Sequence, residues 1–273
     1  MLSACENALL LQLHGADSRG FARIGILTTT RTRGTSLHGL RDAEKRLWDE
    51  LRKLHGRQVE YCGFLEWTAE TFPVRLPHLH HLVKGIEYSQ SEVVMQPNKY
   101  GELVPTLPAL EAHVSELWRW ASSKTQERPS WLVGARPLYT PAGAVRYLVL
   151  HHHKREQGPP PGTKHAKRFR PSRGFFSQPL GVLRAEVRAV LRDERVYSEL
   201  VRVIDTPGAI PGAMLDDWIA ERYEAAKAES RRAAPEFVHV REKPVLDRET
   251  GEVRYEFKEV LGLARQRARQ RAH

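Results

Sequence analysis

Between Phe21 and Arg136 the spacing of apolar residues changes period in a fixed order, and that order limits what the chain can fold into. FARIGILTTT, from Phe21 to Thr30, is short, β-branched and apolar, and RTRG stops it with charge and glycine, so it reads as a strand. From Leu37 onward Leu40, Leu47, Trp48, Leu51 and Leu54 recur at helical intervals among charges, which predicts an amphipathic helix ending at Gly56. VEYCGFLEW (Val59 to Trp67) and LPHLHHLVKG (Leu76 to Gly85) are extended apolar runs joined by a connection of hairpin length, and they should pair antiparallel. A loop holding Pro97, Pro105 and Pro108 leads to a second helix near Ala109 to Ser122, with Leu110, Val114, Leu117 and Trp118 in one stripe. SWLVGAR then gives a fourth strand, and after Pro141 the run AGAVRYLVLHHHKRE reads as a third helix that stops before Gly158.

The order β-α-β-β-α-β predicts an α+β fold of the split βαβ kind seen in ferredoxin-like and RRM-like domains. Its antiparallel sheet carries helices on one face and leaves the other free for a site. Residues 1–157 form the expected site-bearing domain, and residues 158–178 read as a mobile, basic, Pro-rich linker. Residues 179–273 read as an accessory region. It holds a helix near Leu183 to Val203, a TPGAIPG hinge, a helix near Leu215 to Ala233, a hairpin around DRETGE, and a tail repeating Arg-x-Arg from Arg265 to Arg271.

Composition narrows the function classes. The chain has 273 residues, with 43 Lys and Arg against 33 Asp and Glu, a formal net charge of +10 that favours a polyanionic partner, nucleic acid before anionic membrane. Two cysteines, Cys5 and Cys62, cannot build a disulfide framework, which suggests a reducing compartment. The apolar stretch Ala8 to Leu13 is broken by Gln12 and is too short for a signal peptide or membrane span, so a cytoplasmic protein without membrane attachment is expected.

In a strand alternate side chains share a face, so His78 and His80 point one way and His81 the other. Two imidazoles about 7 Å apart on one face make a metal half-site. If the two strands form a hairpin, Glu66 falls beside them and adds a carboxylate, a set suited to Mg²⁺ or Mn²⁺ acting on a phosphate oxygen. The same residues also fit plainer roles: surface histidines, a solvated strand-end glutamate, or a zinc site that borrows Cys62. Tyr147, His151 and Lys154 fall on one face of the third helix, where a phenol could attack a metal-polarised phosphodiester with Lys154 as a nearby cation. They equally fit an amphipathic core edge followed by a polar helix end.

Taken together, ILTTT, the His-hydrophobic-His of HLHH, RYLVLHHHK and KRFRPSRGF resemble, in order, segments of the HUH endonucleases, specifically the replication initiators of rolling-circle plasmids and phages. The resemblance spans about Phe21 to Phe176. It implies a cation held by His78, His80 and Glu66, with Tyr147 attacking the scissile phosphate. Tyr147 would remain joined to the 5′ end and release a 3′-OH that primes synthesis. Members with two tyrosines carry the second four residues after the first, where this chain has His151, and a lysine often found three residues after a tyrosine is Leu150 here. Lys154 keeps that spacing from His151, so the single-tyrosine form is favoured, with His151 as an acid or base.

From Lys154 to Arg173 seven cations face one acid, Glu156, with Phe169, Phe175 and Phe176 interleaved. Lys164, Lys167, Arg168, Phe169, Arg170 and Arg173 are the expected contacts to single-stranded DNA at a replication origin, cations along the backbone and aromatics for stacking. The chain shows no Gly-x-x-x-x-Gly-Lys-[Ser/Thr] motif, so strand separation and synthesis are expected to need a host helicase and polymerase. The competing expectations are a DNA-binding relative with a decayed nuclease site and a zinc-dependent hydrolase.

Overall fold

A computed structural model of the chain describes residues 2–16, 20–29, 37–67, 76–98, 101–125, 133–139, 167–206, 212–232, 240–246 and 253–259. The chain divides into two compact units, residues 1–179 with 200–210, and residues 180–199 with 211–273. In the first unit the order is α1 (Leu2–His14), β1 (Ile24–Thr29), α2 (Leu37–His55), β2 (Glu60–Trp67), β3 (Pro77–Lys84), β4 (Val94–Pro97), β5 (Leu103–Thr106), α3 (Pro108–Ser123), β6 (Val133–Pro137) and β7 (Phe169–Pro171).

The main sheet runs β6-β1-β3-β2-β7, with every neighbouring pair antiparallel. Its first four strands are the α+β arrangement that the split βαβ pattern dictates, because α2 and α3 each carry the chain past a strand before it rejoins the sheet. Strand alternation sorts the residues. Ile24, Ile26, Leu65, Leu79, Val83 and Ala135 face the helices and meet Leu40, Leu47, Trp48 and Leu51 of α2 and Val114, Trp118 and Ala121 of α3 in one apolar core. Leu54, expected in the same stripe, is 57 % exposed in the last turn of α2, which ends at Gly56 with a φ of 95° that glycine adopts without steric cost.

The opposite face differs from the expected open surface. Cys62, Phe64 and Leu82 are buried there, and Lys84, on the same alternation, is buried as well. The Lys84 ammonium donates to the Phe175 carbonyl at 3.2 Å and lies 4.6 Å from the centre of the Phe175 ring. Phe175 and Phe176, read from sequence as stacking residues for DNA, are buried core residues. Closing that end of the sheet removes two large apolar side chains from water.

Part of the tract expected to be a linker is a strand. The Leu65 amide donates to the Arg168 carbonyl at 2.8 Å and the Ser172 amide to the Tyr61 carbonyl at 2.7 Å, which places β7 along the β2 edge. The proline-marked loop after β3 holds a short hairpin, β4 paired with β5, whose Val94, Met95 and Leu103 are exposed. Helix α1, which the sequence reading did not assign, buries Leu9, Leu10 and Leu11.

The second unit holds α4 (Leu180–Val190), α6 (Leu215–Arg232) and the hairpin β8 (Val240–Leu246) with β9 (Val253–Glu259). Helix α5 (Glu194–Asp205) begins in this unit and its last residues belong to the first. The single helix expected over Leu183 to Val203 is therefore two, α4 and α5. The break falls where the Asp193 carboxylate accepts the Arg195 amide at 3.0 Å and caps a new helix. Among the described residues no helix is long and apolar enough to cross a membrane.

Candidate metal centre

The β2–β3 ladder sets Glu66 directly across from His78 and Phe64 across from His80. Period-two alternation then puts Glu66, His78 and His80 on one face. The Nε2 atoms of His78 and His80 each lie 3.3 Å from Glu66 Oε2, and the two rings are 5.1 Å apart at 70°. All three donor atoms lie within 4.8 Å of one another, so the group can hold a metal ion. The Glu66 side chain is 1 % exposed, His80 9 % and His78 13 %, so a ligand reaches the site from the His78 side.

Burial raises the cost of charge on Glu66, but the His78 and His80 imidazoles, each 3.3 Å from Oε2, outweigh it and hold the carboxyl well below the usual carboxylate range. Burial likewise pushes the His80 imidazole below its ordinary value, more than neighbouring Glu66 restores. An ionised carboxylate beside a neutral imidazole is the protonation state that metal ligation requires. Oxygen and imidazole donors suit a divalent cation, and three ligands leave coordination positions for substrate. Cys62 shares the face but lies four residues along β2 from Glu66, about 13 Å away at strand rise. Burial pushes its thiol well above the ordinary value, and it is not part of the metal-holding group.

His81 turns to the helix face, as alternation requires, and meets a partner the sequence reading missed. Its Nε2 lies 3.0 Å from Glu44 Oε1 of α2, with both side chains fully buried, and Arg170 of β7 donates to Glu44 Oε2. Gly63 sits across from both His81 and Arg170, and a Cβ there would stand 3.0 Å from Glu44 Oε1. Trp48 and Tyr61 stack at 4.2 Å and both set their ring planes steeply against the His81 ring. The signal for this cluster was a glutamate on the apolar side of α2, one turn before Trp48.

The expected DNA contacts separate. Lys167 and Arg173 are exposed. Arg168 donates from Nε to the Leu65 carbonyl at 3.2 Å, one residue from Glu66. Phe169 is half-buried, edge-on to Phe64 at 5.4 Å and on the same face as His80. Arg170 is turned to the helix face and paired with Glu44. Tyr147, His151, Lys154 and Lys164 lie outside the described residues, as do the Arg-x-Arg tail and most of the TPGAIPG hinge. No family model, curated protein or solved structure matches this chain.

Proposed function

We propose that this chain is a metal-dependent endonuclease of the HUH type that nicks single-stranded origin DNA to initiate rolling-circle replication. The observation that carries the reading is the His-x-His pair on the central strand β3, joined by Glu66 from β2 into one buried three-donor group. A His-x-His in sequence has many uses, but here it is paired with a carboxylate at the register a metal site needs. The net positive charge and the exposed Lys167 and Arg173 near the β2 edge favour an anionic strand as substrate.

A Mg²⁺ or Mn²⁺ ion held by Glu66, His78 and His80 would supply stabilisation of charge on a phosphate oxygen. Tyr147 is the nucleophile of the proposal. Its phenolic oxygen bonds to phosphorus as the bond from phosphorus to the 3′ oxygen breaks, giving a 5′-phosphotyrosine and a free 3′-OH. His151 takes the phenol proton and returns one to the leaving oxygen, and Lys154 offsets developing negative charge. Host helicase and polymerase would then open and extend the strand.

The test is incubation of the full chain with end-labelled single-stranded DNA pools in Mn²⁺ or Mg²⁺, with His78→Ala in parallel. The proposal expects metal-dependent fragments whose 3′ ends a polymerase extends, and none from His78→Ala. Binding of a verified origin strand without cleavage would instead support a DNA-binding protein of the same fold. Cleavage with zinc alone would point to a hydrolase.

A further inference from the structure

Arg170 belongs to a basic tract and is an obvious candidate for a phosphate contact, yet its guanidinium is engaged. It is paired with Glu44, a carboxylate whose side chain is 0 % exposed and whose other oxygen lies 3.0 Å from His81. Transferring Arg170 to a phosphate would leave a fully buried carboxylate without its cation, which is strongly unfavourable. The pair also joins elements that matter to the site. Glu44 is on α2, His81 follows the ligand His80 on β3, and Arg170 follows Phe169 on the edge strand β7. Gly63, between His81 and Arg170 in the sheet, leaves room for the carboxylate.

We infer that Arg170 is a positioning residue rather than a DNA contact: through Glu44 and His81 it fastens β7 to the strand bearing the metal ligands. This holds Lys167, Arg168 and Phe169 at a fixed distance from the metal centre as the track for a single strand. Strand β7 is only three residues long and, among the described residues, pairs with β2 alone. The ion pair thus adds a tie across the sheet to a short ladder otherwise held by Arg168 on the Leu65 carbonyl, Ser172 on the Tyr61 amide and the buried Phe175 and Phe176 that follow. The inference rests on the proposed single-stranded DNA substrate.

Two readouts on the full chain test it. The first is the affinity for a fluorescein-labelled, mixed-sequence single strand as a function of salt, for wild type, Arg170→Gln, Glu44→Gln, the double variant and Arg170→Lys. A positioning role predicts that Arg170→Gln and Glu44→Gln each weaken binding about tenfold and that the double variant is no worse than either. It also predicts that Arg170→Gln and Glu44→Gln change the slope of log K against log salt equally, because both release the same track cations, and that Arg170→Lys, which keeps a cation for Glu44, recovers most of the affinity. A direct contact predicts the opposite sign at Glu44. Glu44→Gln would then free the guanidinium and strengthen binding, and Arg170→Gln would lower the salt slope by about 0.7, one phosphate on a single strand. That result overturns the inference.

The second readout is hydrogen exchange of the Leu65 and Ser172 amides, which the β2–β7 ladder protects. Faster exchange there in Arg170→Gln, with β1 and β3 amides unchanged, supports the anchoring role, and unchanged protection overturns it. If wild type binds no single strand, the proposed function fails, while the exchange experiment still decides whether Arg170 anchors β7.

Discussion

Glu66 and His78 are direct cross-strand partners, with Glu66 Oε2 and His78 Nε2 3.3 Å apart in a hairpin whose register also brings His80 to the same oxygen. Because side chains alternate, a one-residue slip would send Glu66 to the helix face and dismantle the group, so the hairpin register is itself part of the site.

Removing a donor should therefore weaken metal binding without unfolding the sheet. Glu66→Gln and His80→Ala are each expected to lower Mn²⁺ affinity at least about tenfold by titration calorimetry, with far-ultraviolet circular dichroism unchanged. Wild-type affinity in both variants would place the metal elsewhere.

On the other face, Gly63→Ala would set a Cβ 3.0 Å from Glu44 Oε1 and 3.1 Å from His81 Cδ2. Neither neighbour has room to retreat, since both side chains are fully buried. Urea denaturation should show a loss of about 1–3 kcal/mol, the usual cost of overpacking. A neutral result would mean that the pocket around Glu44 is looser than its geometry indicates.

Two leucines of α2 separate pattern from burial. Leu47→Ala, at a fully buried position in the core, should cost about 2–5 kcal/mol, and Leu54→Ala, more than half exposed, within about 0.5 kcal/mol of nothing. Equal losses in denaturant midpoint would contradict the placement of the helix end.

His55 and His113 sit with ring centres 6.4 Å apart beside a cleft that also includes Ile86 and Leu110. Burial, and then the neighbouring His113, lowers the His55 pKa below its ordinary 6.5. The unfolded chain thus takes up the proton first, and stability is lost as the pH falls from about 6.5 through the lower native value. Unfolding midpoints measured between pH 7.5 and 5 should fall more steeply for wild type than for His55→Gln. A steeper fall in the variant would reverse the assigned sign.

Much of the first unit is legible because α2 and α3 bury one face each and the inner strands β2 and β3 are short apolar runs buried on both faces. The stripe through Leu40, Leu47 and Leu51 and the alternation through His78, Leu79 and His80 carry the period of their element directly. Helix α1 is missed because consecutive Leu9, Leu10 and Leu11 are all buried, and a helix enclosed on all sides has no amphipathic period to read. Strands β4, β5 and β7 are short, and Pro97, Pro105 and Pro171 mark them as loop in sequence, although edge positions tolerate proline. The Glu66–His78–His80 group is legible because both of its strands belong to one hairpin. The Glu44–His81–Arg170 cluster is not, since its members come from three elements brought together only by the sheet order.

The central claim is a metal-assisted attack by one tyrosine, and peptide mapping of a trapped protein–DNA adduct tests it most directly. The full chain, incubated with single-stranded DNA and Mn²⁺, digested and analysed by mass spectrometry, should carry a nucleotide on the peptide containing Tyr147. The adduct should be lost in Tyr147→Phe and in His78→Ala. An adduct that persists in Tyr147→Phe, or cleavage that leaves no covalent link, would contradict the account.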